Sequence, residues 1–311
     1  MPEDVASIDS LKGTSVNLSY LDLGGLGEST WWRYVVGVVT ICTVFISCSF
    51  FLCFLILIAL FSIHGVMPKI DEATGQIIGL HPMANYVAVN IPSWFLCLST
   101  LLIVRFLHSR PVLSLITTTD KFNWRRLAFG AIAWFCLAGA AGIVGWIVFP
   151  HSYKFVPPGA EFFLYLPVVL FFTPLQCLAE ELFFRGYLLQ ALGKWVRNIW
   201  FASALNGLIF MVPHLHNPEV SYGMLPMAIC YFGIGFILAL VTLRTNGLEV
   251  AIGVHIANNL FDALILNDVR SALTTESIFV CLSGHPWYEV AVIVVVGAVF
   301  YWLTSRYLLK R

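Results

Sequence analysis

Charge is what this sequence has least of. Asp, Glu, Lys and Arg make up 11% of its 311 residues, against about 25% in an ordinary soluble domain. Hydrophobic residues make up 59%, and the mean hydropathy is +0.86, so a soluble domain is excluded. The 17 basic and 17 acidic side chains balance, which leaves no basic surplus to attract nucleic acid. The eight cysteines contain no CxxC and no zinc-finger spacing with His. They fall mostly inside apolar runs and read as small buried side chains. The HExxH of zinc peptidases is absent, as is a GxSG serine on a helix; Ser283, Gly284 and His285 lie in a polar loop. No internal repeat appears, and no pair of broken helices of the inverted-repeat transporter kind. Residues 1–31 carry several acids against Lys12 and Arg33 lies beyond them, so they read as a cytoplasmic tail and not as the basic leader of a signal peptide. The end, LLKR, is not a CaaX box.

Long apolar runs are what is there. Bounded by charges and turn residues, they predict eight helices near 34–61, 84–107, 127–149, 162–179, 199–213, 222–243, 248–266 and 287–308. The expected fold is therefore all-α, a polytopic bundle of about eight transmembrane helices making up a membrane domain over 32–311. The fourth and fifth helices are expected to be short and interrupted, because Pro167 and Pro174 precede the Glu pair and Pro213 precedes His214. With the N-terminus cytoplasmic, Lys12, Arg33, Arg105, Arg110, Lys121, Arg125, Arg126, Lys194, Arg197, Arg244, Arg306, Lys310 and Arg311 fall inside. Only Lys69, Lys154 and Arg270 fall outside. That asymmetry predicts a multi-pass protein of the cell membrane or another membrane, with both termini cytoplasmic. The basic loop near 108–126 reads equally as a connector or as a short amphipathic segment in the inner interface.

Against this background the stretch CLAEELFFRGYL, residues 177–188, stands out. A charged side chain inside a bilayer costs roughly 2.5–3.5 kcal/mol on insertion scales, so it usually has a task. On a helix Glu181 and Arg185 are four apart with the acid first, the favoured order for an ion pair. Glu180 points about 100° away and has Phe184 as its own i+4 neighbour, which leaves it without a local counter-charge. A free carboxylate in a partly desolvated site is pushed toward the range of a general base. Two further polar clusters follow: FMVPH, with Phe210 and His214 one turn apart, and HIANN, with His255 and Asn259 on one face and Asp262 below them. Polar residues on one stripe of a membrane helix face the bundle interior. Asn258 points elsewhere and reads as a packing contact. Together these residues offer a base for water and donors for an oxyanion.

The segments EELFFR, FMVPH and HIANN resemble the EExxxR, FxxxH and HxxxN motifs of the CPBP (Abi) family. That family includes the type II CAAX prenyl endopeptidases and bacteriocin-processing or self-immunity proteins. The likeness covers roughly residues 160–265, the family's catalytic core. It implies an intramembrane endopeptidase acting on a membrane-associated peptide or protein, with a prenylated CAAX-type or a bacteriocin-type substrate. By position, Glu180 and His214 would hold and activate the water, Glu181 and Arg185 would support them, His255 and Asn259 would stabilise the oxyanion, and Phe210 would shape the site. Glu180, His214 and His255 are also the candidate ligands if the site holds Zn²⁺. Asn is an unusual zinc partner, which favours a metal-free glutamate mechanism. Asp262 is expected to orient Asn259 or His255. The alternatives are a non-catalytic immunity or scaffold protein that binds a membrane peptide, and a proton-coupled transporter.

Overall fold

In the computed structural model, residues 18–66, 68–71, 76–273 and 275–309 are described. Lys12, Lys310 and Arg311, used above to orient the chain, and most of the expected tail lie outside these residues. Nine α-helices order the described chain: α1 Trp31–His64, α2 Pro82–Leu102, α3 Trp124–Val148, α4 Ala160–Glu181, α5 Leu189–Leu192, α6 Ile199–His214, α7 Met224–Thr245, α8 Glu249–Leu264 and α9 Pro286–Tyr307. Each of the eight expected helices is present, with α5 as a short extra. Six stretches are long and apolar enough to cross a membrane. Phe50, Phe51 and Ile63 on α1 and Trp302 on α9 expose 60% or more of their surface, as side chains facing lipid do. The chain is a multi-pass membrane protein.

The fourth helix departs from expectation. It is neither short nor broken but runs without interruption over Ala160–Leu192, 33 residues. Pro167 and Pro174 sit inside α4, a substitution that membrane helices tolerate when neighbours satisfy the freed carbonyls. Leu182–Leu188 is wound as a π-helix that links α4 to α5. A π-turn displaces backbone carbonyls from the regular ladder, and here other elements meet them. Asn206 on α6 donates to the Phe184 carbonyl at 2.7 Å, and the Tyr20 hydroxyl lies 3.4 Å from that of Arg185.

α6 and α8 have 16 residues each, about 24 Å of helix at 1.5 Å per residue. Both are shorter than a bilayer core of about 30 Å. α8 is sheltered between longer neighbours, packed against α3 and α4, whereas α6 packs against α7 and leaves Phe201 and Val212 exposed. The α3–α8 contact is backbone-close. A Cβ on Gly130 would run into the Val250 carbonyl, and one on Gly253 into the Leu127 carbonyl. Small residues that let helix backbones touch are the usual means of packing in lipid, where no hydrophobic force separates helix from solvent.

Two features add to the expected helices. Three strands of three residues, β1 Tyr153–Phe155, β2 Leu266–Asp268 and β3 Phe279–Cys281, form a small sheet in the order β1-β3-β2. β1 pairs antiparallel and β2 parallel to β3. These loops pair with one another because their backbone groups lie past the helix ends, where no ladder serves them. Second, the end of the expected tail is docked. Tyr20–Gly25 forms a 3₁₀ turn with Tyr20 and Leu23 fully buried. The Tyr20 hydroxyl donates to the Leu115 carbonyl, and its amide donates to Asn246 Oδ1 at 2.9 Å. Arg110 is fully buried, donating to the Leu23 carbonyl at 2.8 Å and to Gln190 Oε1 at 2.7 Å. The basic 108–126 loop is thus packed against the rest of the chain. It folds under the bundle with Arg110, Ser114, Leu115 and Thr117 buried.

Candidate active site

Glu181 closes α4 and Arg185 lies in the π-turn that follows. Both side chains are fully buried, and Arg185 Nη1 donates to Glu181 Oε1 at 2.8 Å, the ion pair the spacing predicts. The same oxygen accepts a second bond, from His255 Nδ1 at 2.8 Å. A carboxylate can only accept, so Nδ1 carries the proton and the Nε2 side of the ring is turned outward. The Arg185 guanidinium carbon stands 4.2 Å from the centre of the Phe210 ring. Its Nη2 reaches the Gly235 carbonyl of α7 at 3.4 Å. Gly235 exposes that carbonyl because α6 and α7 meet at Gly207 and Gly235, where a Cβ would have almost no room.

Glu180 is engaged differently. Its Oε1 accepts from Gln176 Nε2 at 3.0 Å, one turn earlier on α4. Its Oε2 lies 3.9 Å from His255 Nε2, too far for a hydrogen bond. Glu180 therefore keeps one oxygen uncommitted, next to an imidazole instead of a fixed cation. At the end of α6, His214 Nδ1 lies 2.7 Å from the Phe210 carbonyl. It must donate there, which leaves Nε2 with its lone pair when the ring is neutral. Glu180, His255 and Arg185 all act electrostatically on His214. Phe210 is the shared wall, its ring centre 4.3 Å from that of His214 and 6.1 Å from that of His255.

Asn259 follows His255 by one turn of α8 and is half-buried. Its only hydrogen bond among the described residues is accepted by Oδ1, from Asn258 Nδ2 at 3.4 Å. Asn258 in turn donates to Asp262 Oδ2 at 3.0 Å, and its Oδ1 accepts from the Trp134 indole at 3.0 Å. Asp262 thus reaches Asn259 only through Asn258, and it makes no bond to His255. Asn258 does more than pack: it ties α8 to α3 and bridges Asp262 to Asn259.

The residues that spacing singled out, Glu180, Glu181, Arg185, Phe210, His214 and His255, come together around one point, with Asn259 at its edge. Sequence reasoning missed Gln176, Tyr231 and Asn206. Gln176 had a legible signal, since it stands at i−4 from Glu180. Tyr231, whose ring centre is 5.1 Å from that of His214, had none, because a lone Tyr in an apolar helix looks like core. As zinc ligands, Glu180, His214 and His255 fit poorly. Among the described residues no three His, Cys, Asp or Glu side chains converge as a metal site.

The chain matches the family model described as type II CAAX prenyl endopeptidase Rce1-like over residues 161–261. That span contains all three motifs. The chain belongs to the Rce1-like endopeptidase family. The chain is also similar to the uncharacterized protein YyaK of Bacillus subtilis, with 32% identity over 276 residues. The alignment covers 88% of this chain and 91% of that protein, so the likeness runs well outside the Rce1-like core. No solved structure matches the chain.

Proposed function

We propose that this Rce1-like protein is an intramembrane endopeptidase that hydrolyses a peptide bond in a membrane-associated substrate, and that water is its nucleophile. The observation that carries the reading is the unequal engagement of two neighbouring carboxylates. Glu181 is committed to Arg185 and His255 through one oxygen. Glu180 holds Gln176 with one oxygen and keeps the other free. In this mechanism a water lies between Glu180 Oε2 and His214 Nε2. Glu180 takes its proton as the hydroxide attacks the carbonyl carbon, and later returns that proton to the leaving amine. Asn259 Nδ2 and His255 Nε2–H donate to the oxyanion. The Asn258 bond to Asn259 Oδ1 favours this, since it turns the amide's NH₂ away. Glu181 balances the positive charge His255 carries in that role.

Family membership supports a membrane-associated peptide as substrate, either a prenylated CAAX-type tail or a bacteriocin-type peptide. The bundle has eight spans, α6 and α8 among them, with both termini cytoplasmic, which the distribution of Lys and Arg supports. The test is cleavage of a fluorogenic prenylated peptide and a membrane-peptide panel by purified protein and by Glu180→Gln. Wild-type turnover is expected, falling by about 10²–10⁴ in the variant, the usual worth of a general base, while the folded fraction is unchanged. Equal turnover by the variant would remove Glu180 from the chemistry. Binding without cleavage of every peptide would replace the peptidase with a binding protein.

A further inference from the structure

A cavity of about 350 Å³ opens beside the catalytic cluster, between α3, α7, α8 and α9 and under the small sheet. Four carboxylates from four different elements line it: Asp262 on α8, Glu289 on α9, Asp268 on β2 and Glu219 in the 3₁₀ turn Pro218–Tyr222. Asp262 and Glu289 stay exposed although helices surround them, because their side chains face this space. The four act on one another as like charges. No Lys or Arg lines the cavity. The one basic lining residue, His285, is bonded to Ser152 Oγ at 2.8 Å and stacked on Phe149.

Two of the acids are left open. Glu289 makes no hydrogen bond or ion pair among the described residues. Glu219 accepts from the Ala272 amide through Oε1 at 3.0 Å, while its buried Oε2 makes no hydrogen bond of ordinary geometry and has the Tyr231 hydroxyl near it. Burial raises the Glu219 carboxyl above its ordinary range. Like charges gathered around one space repel one another. Such a site is complete only with a cation.

We propose that this cavity binds an organic cation, a guanidinium or alkylammonium group. The walls argue for an organic ion over a metal. Trp134, Tyr231 and Tyr288 face the cavity, and aromatic faces attract such cations. The carboxylates are spread around the space instead of converging at metal-bond length. The volume lies at the lower end of small-ligand pockets, roughly 300–1,000 Å³, and suits one basic side chain. Two lining residues also touch the candidate catalytic cluster: the Tyr231 ring centre lies 5.1 Å from that of His214, and Asn258 bonds to Asn259. A basic residue of a bound peptide would therefore reach the cavity from the scissile bond, a refinement that rests on the peptidase reading.

Calorimetric titration of the purified full-length protein with argininamide tests the cation site without any turnover. Argininamide should bind at least tenfold more tightly than citrullinamide, its neutral isostere. Glu289→Gln and Glu219→Gln should each weaken argininamide tenfold or more while raising the melting temperature of the unliganded protein, since each relieves repulsion. A purely structural role for these acids predicts the opposite temperature shift. Equal binding of the two amides, unchanged affinity in both variants, or no binding of argininamide at millimolar concentration would each overturn the proposal. A second arm identifies the source. Loss of kcat/KM when arginine in a cleaved peptide becomes citrulline assigns the cation to the substrate. Intact kcat/KM with argininamide still bound assigns it to a separate small ligand. If no peptide is cleaved, the peptidase reading falls while the titration still decides the cation site.

Discussion

Replacing Arg185 with Met removes a charge while keeping the length of the side chain. In the native protein Arg185 and Glu181 are both without solvent exposure and 2.8 Å apart. Removing one partner of such a buried pair costs about 3–5 kcal/mol, because the remaining charge stays buried. The guanidinium also lies 4.2 Å from the Phe210 ring centre, worth about 0.5–2 kcal/mol more. The long bond to the Gly235 carbonyl, at 3.4 Å, adds little. Glu181 Oε2 already lacks a partner, so in Arg185→Met the whole carboxylate would depend on His255. The second change, Glu181→Gln, removes the stranded charge and leaves an oxygen to accept from His255. The double variant should therefore regain most of the loss, giving a coupling of about 3 kcal/mol, the upper end for contacting residues. Unfolding by dodecyl sulfate titration in detergent, followed by tryptophan fluorescence, measures all four corners of the cycle. If Arg185→Met lies within about 1 kcal/mol of wild type, or if the double variant is no more stable than the single, the buried pair does not hold the site as described.

Three further outcomes follow from the same contacts. Asp262→Asn weakens the bond that holds Asn258 against Asn259; on a substrate without basic residues kcat should fall about tenfold, the scale of one charge-assisted hydrogen bond, with KM unchanged. Gly253→Ala would press a methyl into the Leu127 carbonyl, and the melting curve should show a loss of about 1–3 kcal/mol. His108 is buried between the Glu28 carbonyl and the Tyr187 hydroxyl, and burial above all pushes its pKa down from 6.5 to about 4. The unfolded chain therefore takes up a proton that the native protein refuses. Stability should decline as pH falls from about 6.5 and level off below about 4, and His108→Gln should flatten that part of the profile.

Much of the site was legible because its logic is local. The Glu181–Arg185 pair is a consequence of i,i+4 spacing, and the shared face of His255 and Asn259 follows from the helical period. The eight helices were legible because lipid demands long apolar runs. What escaped depends on contacts between distant segments. Nothing in LFFRGYL marks a π-turn; it exists where Asn206 and Tyr20 are present to meet its displaced carbonyls. The bond between His255 and Glu181 joins residues 74 apart, and no periodicity reports it. The docking of YLDLGG was hidden because a 3₁₀ turn is too short to have a readable period, and because Arg110 looked like one more interfacial cation.

That docked N-terminal turn imposes an order of events on biosynthesis. The Tyr20 amide waits for Asn246, 226 residues later in the chain; at roughly 5–20 residues per second this is about 10 to 45 s of translation. Leu115, whose carbonyl accepts from the Tyr20 hydroxyl, and Gln190, whose backbone packs on Gly24, also follow the turn in the chain. Residues 20–25 are thus made long before they settle. A bulky fusion placed just ahead of Tyr20 would act on a late step of assembly, after α7 has been made.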